Sequence, residues 1–167
     1  MTLDDLRALA YDRGDGHHAF QPPYLQMSVT LEDAEFLYAL VRAMRPARVL
    51  ELGTGLGVSA RFIAEALKAN GTGELVTVEP LDDIRNQVVA SRILDGDLPA
   101  QVVLMRPLDF APDLIFIDSG YAYRESDLDE WLDTGPLIVV HDAKRNYPAL
   151  LTDGVFVPGP EGLWIGR

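Results

Sequence analysis

The stretch VLELGTGLGVS, residues 49–59, decides the fold. An apolar strand, ARVLELG (47–53), runs into Gly53, Thr54, Gly55, Leu56 and Gly57, and the pattern turns helical from Val58 to Lys68. Three glycines at that junction let the backbone turn sharply and let a ligand approach the main chain closely. A strand, a glycine loop and a helix in this order open an α/β domain, but dinucleotide-binding proteins share the device.

The acidic residues around the loop discriminate. Glu51 precedes the first glycine by two positions, and the spacing is G-x-G-x-G rather than G-x-G-x-x-G. A dinucleotide rests its pyrophosphate on the helix N-terminus, whereas S-adenosylmethionine has no pyrophosphate but carries a sulfonium and an amino-acid end that carboxylates can meet. The pattern therefore favours S-adenosylmethionine over NAD, with Glu51 meeting the donor's amino group directly or through water. Glu79 follows Gly57 by 22 residues, at the end of the next strand, where a carboxylate can accept hydrogen bonds from both ribose hydroxyls. The alternative is a tight turn with Glu79 capping a helix that starts near Asp82 and Asp83.

Outward from the loop the chain alternates. ELVTVEP (74–80) is a strand, Asp82 to Leu94 a helix and AQVVLM (100–105) a third strand. DLIFIDS (113–119) and PLIVVHD (136–142) are continuous apolar runs, which suit parallel strands buried on both faces. Helices are expected at Arg124 to Leu132 and Lys144 to Leu151. Only RPLDFAP separates the third and fourth strands, too little for a normal helix, so a loop is expected there. GVFVPG (154–159) and GLWIGR (162–167) read as a hairpin. Before the loop, Leu3, Leu6, Leu9 and Ala10 mark a helix, Gly14 to Pro23 breaks regular structure, and Thr30 with Glu32 and Asp33 starts a second helix that Pro46 stops. The expected architecture is one α/β domain over 1–167, a Rossmann-like doubly wound, mostly parallel sheet of seven strands ending in an antiparallel hairpin. Residues 1–46 form its helical, lid-like preface.

VLELGTGLGVSARFIAEAL, LVTVEP, PDLIFIDSGYAYRESDLDEWL and GPLIVVHDA resemble, in order and spacing, the small-molecule O-methyltransferases of class I. These include the catechol and caffeoyl-coenzyme A types and the cephalosporin hydroxylase-like branch. The resemblance implies a donor site at Glu51, Gly53, Thr54, Gly55, Gly57, Ser59, Glu79 and Asp118. It also implies a divalent ion, magnesium or another, held by Asp118 and Asp142 against the acceptor's oxygens. Asp118, His141 and Asp142 are the expected catalytic group, with His141 a third ligand or general base. The chain departs from the pattern at Ala143, where catechol-type enzymes carry an amide ligand, and at Tyr121, where the related branch often has histidine. Adjacent strand residues point to opposite faces, so His141 and Asp142 converge only if the strand has ended. Tyr121, Tyr123 and Arg124 are candidates for a substrate pocket, His17, His18, Phe20 and Tyr24 for a lid, and Asp109 for the adenine. A fold that has kept the donor site as a binding or assembly module, without catalysis, is the alternative.

Composition narrows the partners. With 26 acidic against 14 basic residues the formal net charge is −12, which repels nucleic acid and anionic membranes and leaves small molecules as the expected substrates. The absence of cysteine excludes disulfides and thiolate chemistry. No apolar run reaches the roughly 20 residues that span a bilayer, and MTLDDLRALAYDRGDG is unlike a signal peptide, so a cytoplasmic protein is expected. A homodimer is left open.

Overall fold

The apolar runs form the middle of one sheet because each can be covered on both sides. In this computed structural model, which describes residues 2–11, 29–79, 94, 96–143, 151, 153–158 and 162–167, the strands are β1 (Arg48–Leu52), β2 (Glu74–Val78), β3 (Ala100–Val103), β4 (Leu114–Ile117), β5 (Leu137–His141), β6 (Gly154–Val157) and β7 (Leu163–Gly166). Their order is β3-β2-β1-β4-β5-β7-β6. The first five are parallel, and β7 enters antiparallel between β5 and β6. The expected seven-strand arrangement with a terminal antiparallel pair is what the chain adopts. No helix lies in the described stretch between β3 and β4 from residue 104 to 113, as the short RPLDFAP connection requires.

Alternate residues of each strand face opposite layers. Val49, Leu75, Leu114, Phe116 and Val139 pack with α2 (Leu31–Met44) and α3 (Val58–Asn70), and Leu6 of α1 (Leu3–Tyr11) joins them. Leu50, Val76, Ile115, Ile117, Ile138, Val140 and Trp164 pack on the other side with Leu128 and Trp131 of α4 (Tyr121–Trp131). No helix among the described residues is long and apolar enough to cross a membrane.

Local chemistry fixes the helix ends. Thr30 caps α2, its hydroxyl accepting from the Asp33 amide at 3.2 Å. Arg45, in the left-handed region at φ 53°, closes α2 one residue before Pro46. Helix α4 begins at Tyr121, three residues before the expected Arg124. Gly120 caps it with no side-chain hydrogen bond, so the usual polar marker of a helix start is missing from the sequence. The helices expected at 82–94 and 144–151 fall almost wholly outside the described residues.

Close approaches require glycine at Gly53 and at the Gly154–Gly166 pair. A Cβ on Gly53, at φ +98°, would lie 2.4 Å from the Asp118 carbonyl oxygen. Gly154 and Gly166 face each other across β6 and β7 and leave room for the Trp164 indole, whose atoms would lie 2.3 and 2.2 Å from Cβ atoms added there.

Candidate active site at the carboxyl edge of the sheet

The glycine loop is pinned between the ends of β2 and β4. The amides of Gly53 and Thr54 both donate to the Val78 carbonyl, at 2.9 and 3.2 Å, and the Asp118 amide donates to the Leu52 carbonyl at 2.8 Å. Gly53, Gly55 and Gly57 have φ of 98°, 50° and 75°, so the loop takes its turn in the region glycine favours. Gly57 caps α3 without a side-chain bond. The Thr54 hydroxyl meets that of Thr77 at 2.6 Å. Glu79 turns back onto the loop, its Oε2 accepting from the Gly55 amide at 2.9 Å. The acidic residue expected at the ribose thus lies against the glycine loop.

Glu51 is wholly buried at 0% exposure beneath the same loop. Ser59, on the first turn of α3, donates its hydroxyl to Glu51 Oε1 at 2.5 Å, while Oε2 has no hydrogen-bond partner among the described residues. Burial pushes the carboxyl up to about 8, against the lowering effect of the Ser59 and Thr77 hydroxyls, with Asp118 and Glu79 adding repulsion. Glu51, Gly53, Thr54, Gly55, Ser59 and Glu79 are therefore joined into one loop-centred group.

A second group forms at the ends of β4 and β5. Asp142 follows β5 in the left-handed region, at φ 56°, so the strand has ended and the alternation of faces no longer separates it from His141. His141 Nδ1 lies 3.0 Å from Asp118 Oδ1 and 3.7 Å from Asp142 Oδ1. The convergence left open by the sequence is achieved by this one backbone turn. Behind the ring, Nε2 lies 3.4 Å from Asp33 Oδ2 on α2, within ion-pair range but without hydrogen-bond alignment. Burial lowers the imidazole's affinity for a proton, but the facing Asp118, Asp33 and Asp142 outweigh it and raise the group to about 10. The three carboxylates that face the ring therefore favour its protonated form. Burial also resists ionisation of Asp33, yet His141 and the Thr30 hydroxyl hold its carboxyl below its ordinary range.

Arg124, 3% exposed, joins this group from α4. Its Nη2 donates to Asp118 Oδ1 at 2.9 Å and its Nη1 to Asp142 Oδ2 at 3.2 Å. Nη1 also donates to the His141 carbonyl at 3.0 Å and Nε to the Ser119 carbonyl at 2.9 Å. Asp33 and Arg124 are the members whose roles sequence reasoning missed. Asp33 stands where a helix-capping acid belongs, and Arg124 was expected to line a pocket rather than to join two aspartates. Tyr123 is exposed, Ala143 is buried in an apolar cluster and offers no ligand, and Asp109 is exposed in a turn. His17, His18, Phe20 and Tyr24 lie outside the described residues.

Asp118, His141 and Asp142 each offer a ligand atom, and these atoms lie within 4.8 Å of one another. Hard oxygens in that grouping match the donor preference of magnesium. In this arrangement, however, Arg124 engages both carboxylates, so the residues present do not fit a divalent ion as they stand.

Glu51 and His141 give stability the same dependence on pH. Each has a folded value above its unfolded one, so folding takes up a proton as pH rises. The Glu51 contribution is complete below about 4.5 and lost through about 8; that of His141 is complete below about 6.5 and lost through about 10. The melting temperature should fall from pH 6 to 9, and Glu51→Gln should make the slope between pH 5 and 8 shallower. Equal slopes for the two proteins would show that Glu51 does not titrate there.

A parallel α/β sheet that closes in an antiparallel hairpin, with acidic residues around a glycine loop and a polar group beyond β4 and β5, defines a Rossmann-like fold of the methyltransferase kind. Residues 50–143 match the family described as a methyltransferase domain, and the chain belongs to that family. A Mycobacterium sp. (strain JLS) protein, provisionally named an O-methyltransferase, is 32% identical over 128 residues, which cover 70% of this chain and 57% of that protein. The chain thus spans little more than half the length of that relative. Among solved structures, the Bacillus cereus O-methyltransferase in complex with SAH superposes with TM-score 0.68 at 18% identity, covering 98% of this chain and 88% of that one. TomG of Streptomyces achromogenes, an O-methyltransferase involved in tomaymycin synthesis and solved with SAM, gives 0.66 at 18% identity, covering 98% and 87%. At these identities the agreement establishes the fold.

Proposed function

We propose that this chain is an S-adenosylmethionine-dependent methyltransferase that transfers the methyl group to an oxygen of a small molecule. The observation that carries the reading is the pair of carboxylates, Glu51 and Glu79, gathered on one glycine loop. One has a buried oxygen without a partner among the described residues, and the other is bonded to the loop amide. Glu51, with Ser59 beside it, suits the donor's amino-acid end, and Glu79 suits the ribose hydroxyls. Gly53, Thr54, Gly55 and Gly57 admit the donor close to the backbone. Ligands of open α/β sheets bind beyond the carboxyl ends of the strands, which is where Asp118, His141 and Asp142 stand.

In the transfer, the acceptor oxygen bonds to the methyl carbon as the carbon–sulfur bond breaks. The acceptor's hydroxyl proton passes to a nearby base, and the demethylated donor leaves. Asp142, whose side chain is 18% exposed, is the group on this edge suited to take that proton. The net charge of −12 and the O-methyltransferase names of the relatives support a small-molecule acceptor.

Calorimetric titration with S-adenosylmethionine and with its demethylated product tests the donor site. Micromolar binding of both is expected, and failure of both to bind overturns the reading. Asp142→Ala should keep donor affinity within a few-fold and reduce turnover on an accepted substrate by about a hundredfold or more. Intact turnover would remove Asp142 from the chemistry. A binding module without turnover is the second reading, favoured by the apolar burial of Ala143 where a ligand is expected. Donor binding without methylation of any phenol, catechol, sugar or amine would point to it.

A further inference from the structure

The gap between Asp118 and Asp142 is already spanned by a side chain. Arg124 reaches both carboxylates from α4 at 2.9 and 3.2 Å, and it also donates to the carbonyls of Ser119 and His141 at 2.9 and 3.0 Å. Those carbonyls belong to the same two strand ends as the aspartates. The planar guanidinium is therefore held by four oxygens around the point where β4 and β5 deliver their acids, and its side chain is only 4% exposed. A buried guanidinium is stable only while its hydrogens are met, so withdrawing to admit an ion would cost it these bonds. A lysine would place a single point of charge there, whereas the arginine fork spans two carboxylates at once.

We infer that the guanidinium of Arg124 stands where a divalent cation would be held, and that this site receives its oxygen acceptor without a metal ion. This rests on the proposed acceptor site, but it can be tested without methyl transfer. Arg124 is a positioning residue: it fixes Asp118 and Asp142 in the orientation that a metal would otherwise impose.

The test is titration of Mn2+ into the purified full chain, followed by the loss of the free-ion paramagnetic resonance signal. The wild-type protein should bind Mn2+ no more tightly than its Asp118→Asn variant. Arg124→Ala, which removes the guanidinium between the acids while leaving His141 beside them, should bind Mn2+ at least about tenfold more tightly than wild type. Adding Asp142→Asn should abolish that gain. Wild-type binding that drops tenfold in Asp118→Asn would overturn the inference, as would an Arg124→Ala protein that gains nothing. If the alanine variant does not fold, Arg124→Met keeps the apolar stem for the same measurement, and the comparison of wild type with Asp118→Asn decides by itself. Titration of the same proteins with the demethylated donor product keeps the two readings apart: absence of donor binding defeats the proposed function and leaves the Mn2+ comparison standing.

Discussion

Gly53→Ala is expected to yield little or no folded protein. The position combines two demands that are usually met separately. Its φ of +98° is unfavourable for any residue with a side chain, and the added methyl would lie 2.4 Å from the Asp118 carbonyl oxygen and 2.7 Å from the Ser119 nitrogen. Those atoms are backbone at the end of β4, which cannot swing aside as a side chain would. Relief would require β1 and β4 to separate where the Asp118 amide bonds the Leu52 carbonyl. A loss of more than about 4 kcal/mol is expected, in the range that unfolds an ordinary domain. Gly71→Ala is the matched control, since Gly71 also has a positive φ, +71°, but has nothing beyond its chain neighbours within 4 Å of the added carbon among the described residues. It should cost only about 1 kcal/mol. Urea denaturation of the two variants separates backbone conformation from steric contact; equal losses would show that the approach to Asp118 is not what demands glycine.

Glu79→Ala should weaken binding of the demethylated donor product by about a hundredfold or more. Hydrogen bonds to a charged acceptor contribute roughly 1.5–3 kcal/mol each, and a ribose offers this carboxylate two. The loop would loosen as well, because the Gly55 amide loses its acceptor. Glu79→Gln keeps a carbonyl oxygen for one of these bonds and should fall between the two proteins. Calorimetry reads both effects, and an unchanged affinity in the alanine variant would remove Glu79 from the donor site.

The sheet was largely legible because parallel strands buried on both faces cannot avoid continuous apolar runs. LIFI of β4 and LIVV of β5 declare themselves for that reason, whereas RVLEL of β1 carries Arg48 and Glu51 and is marked instead by the glycine loop that follows it. The thin connection after β3 was legible by length alone. Less visible was the start of α4, where glycine caps the helix without a polar side chain. The site divided along a similar line. Residues tied to a local motif, Glu51, Ser59 and Glu79, could be placed because the glycine loop fixes what lies next to it. Asp33 and Arg124 meet His141 and the two aspartates through α2 and α4, over separations that no local spacing records. Asp142 turned on one left-handed residue, a conformation that its sequence neighbours do not announce.

The two glycines beneath Trp164 set a length as well as a shape. Strand β7 pairs Leu163 with His141 and Trp164 with Val140, while the indole lies over Gly166 and its partner Gly154. A slip of β6 by one residue would bring Val155 where Gly154 stands and leave no room for the ring, besides reversing the faces of the strand. The indole thus acts as a ratchet tooth with one permitted notch. The same strand also runs beside β5, with Leu163 opposite His141, so the hairpin held in that register borders the strand end that precedes Asp142.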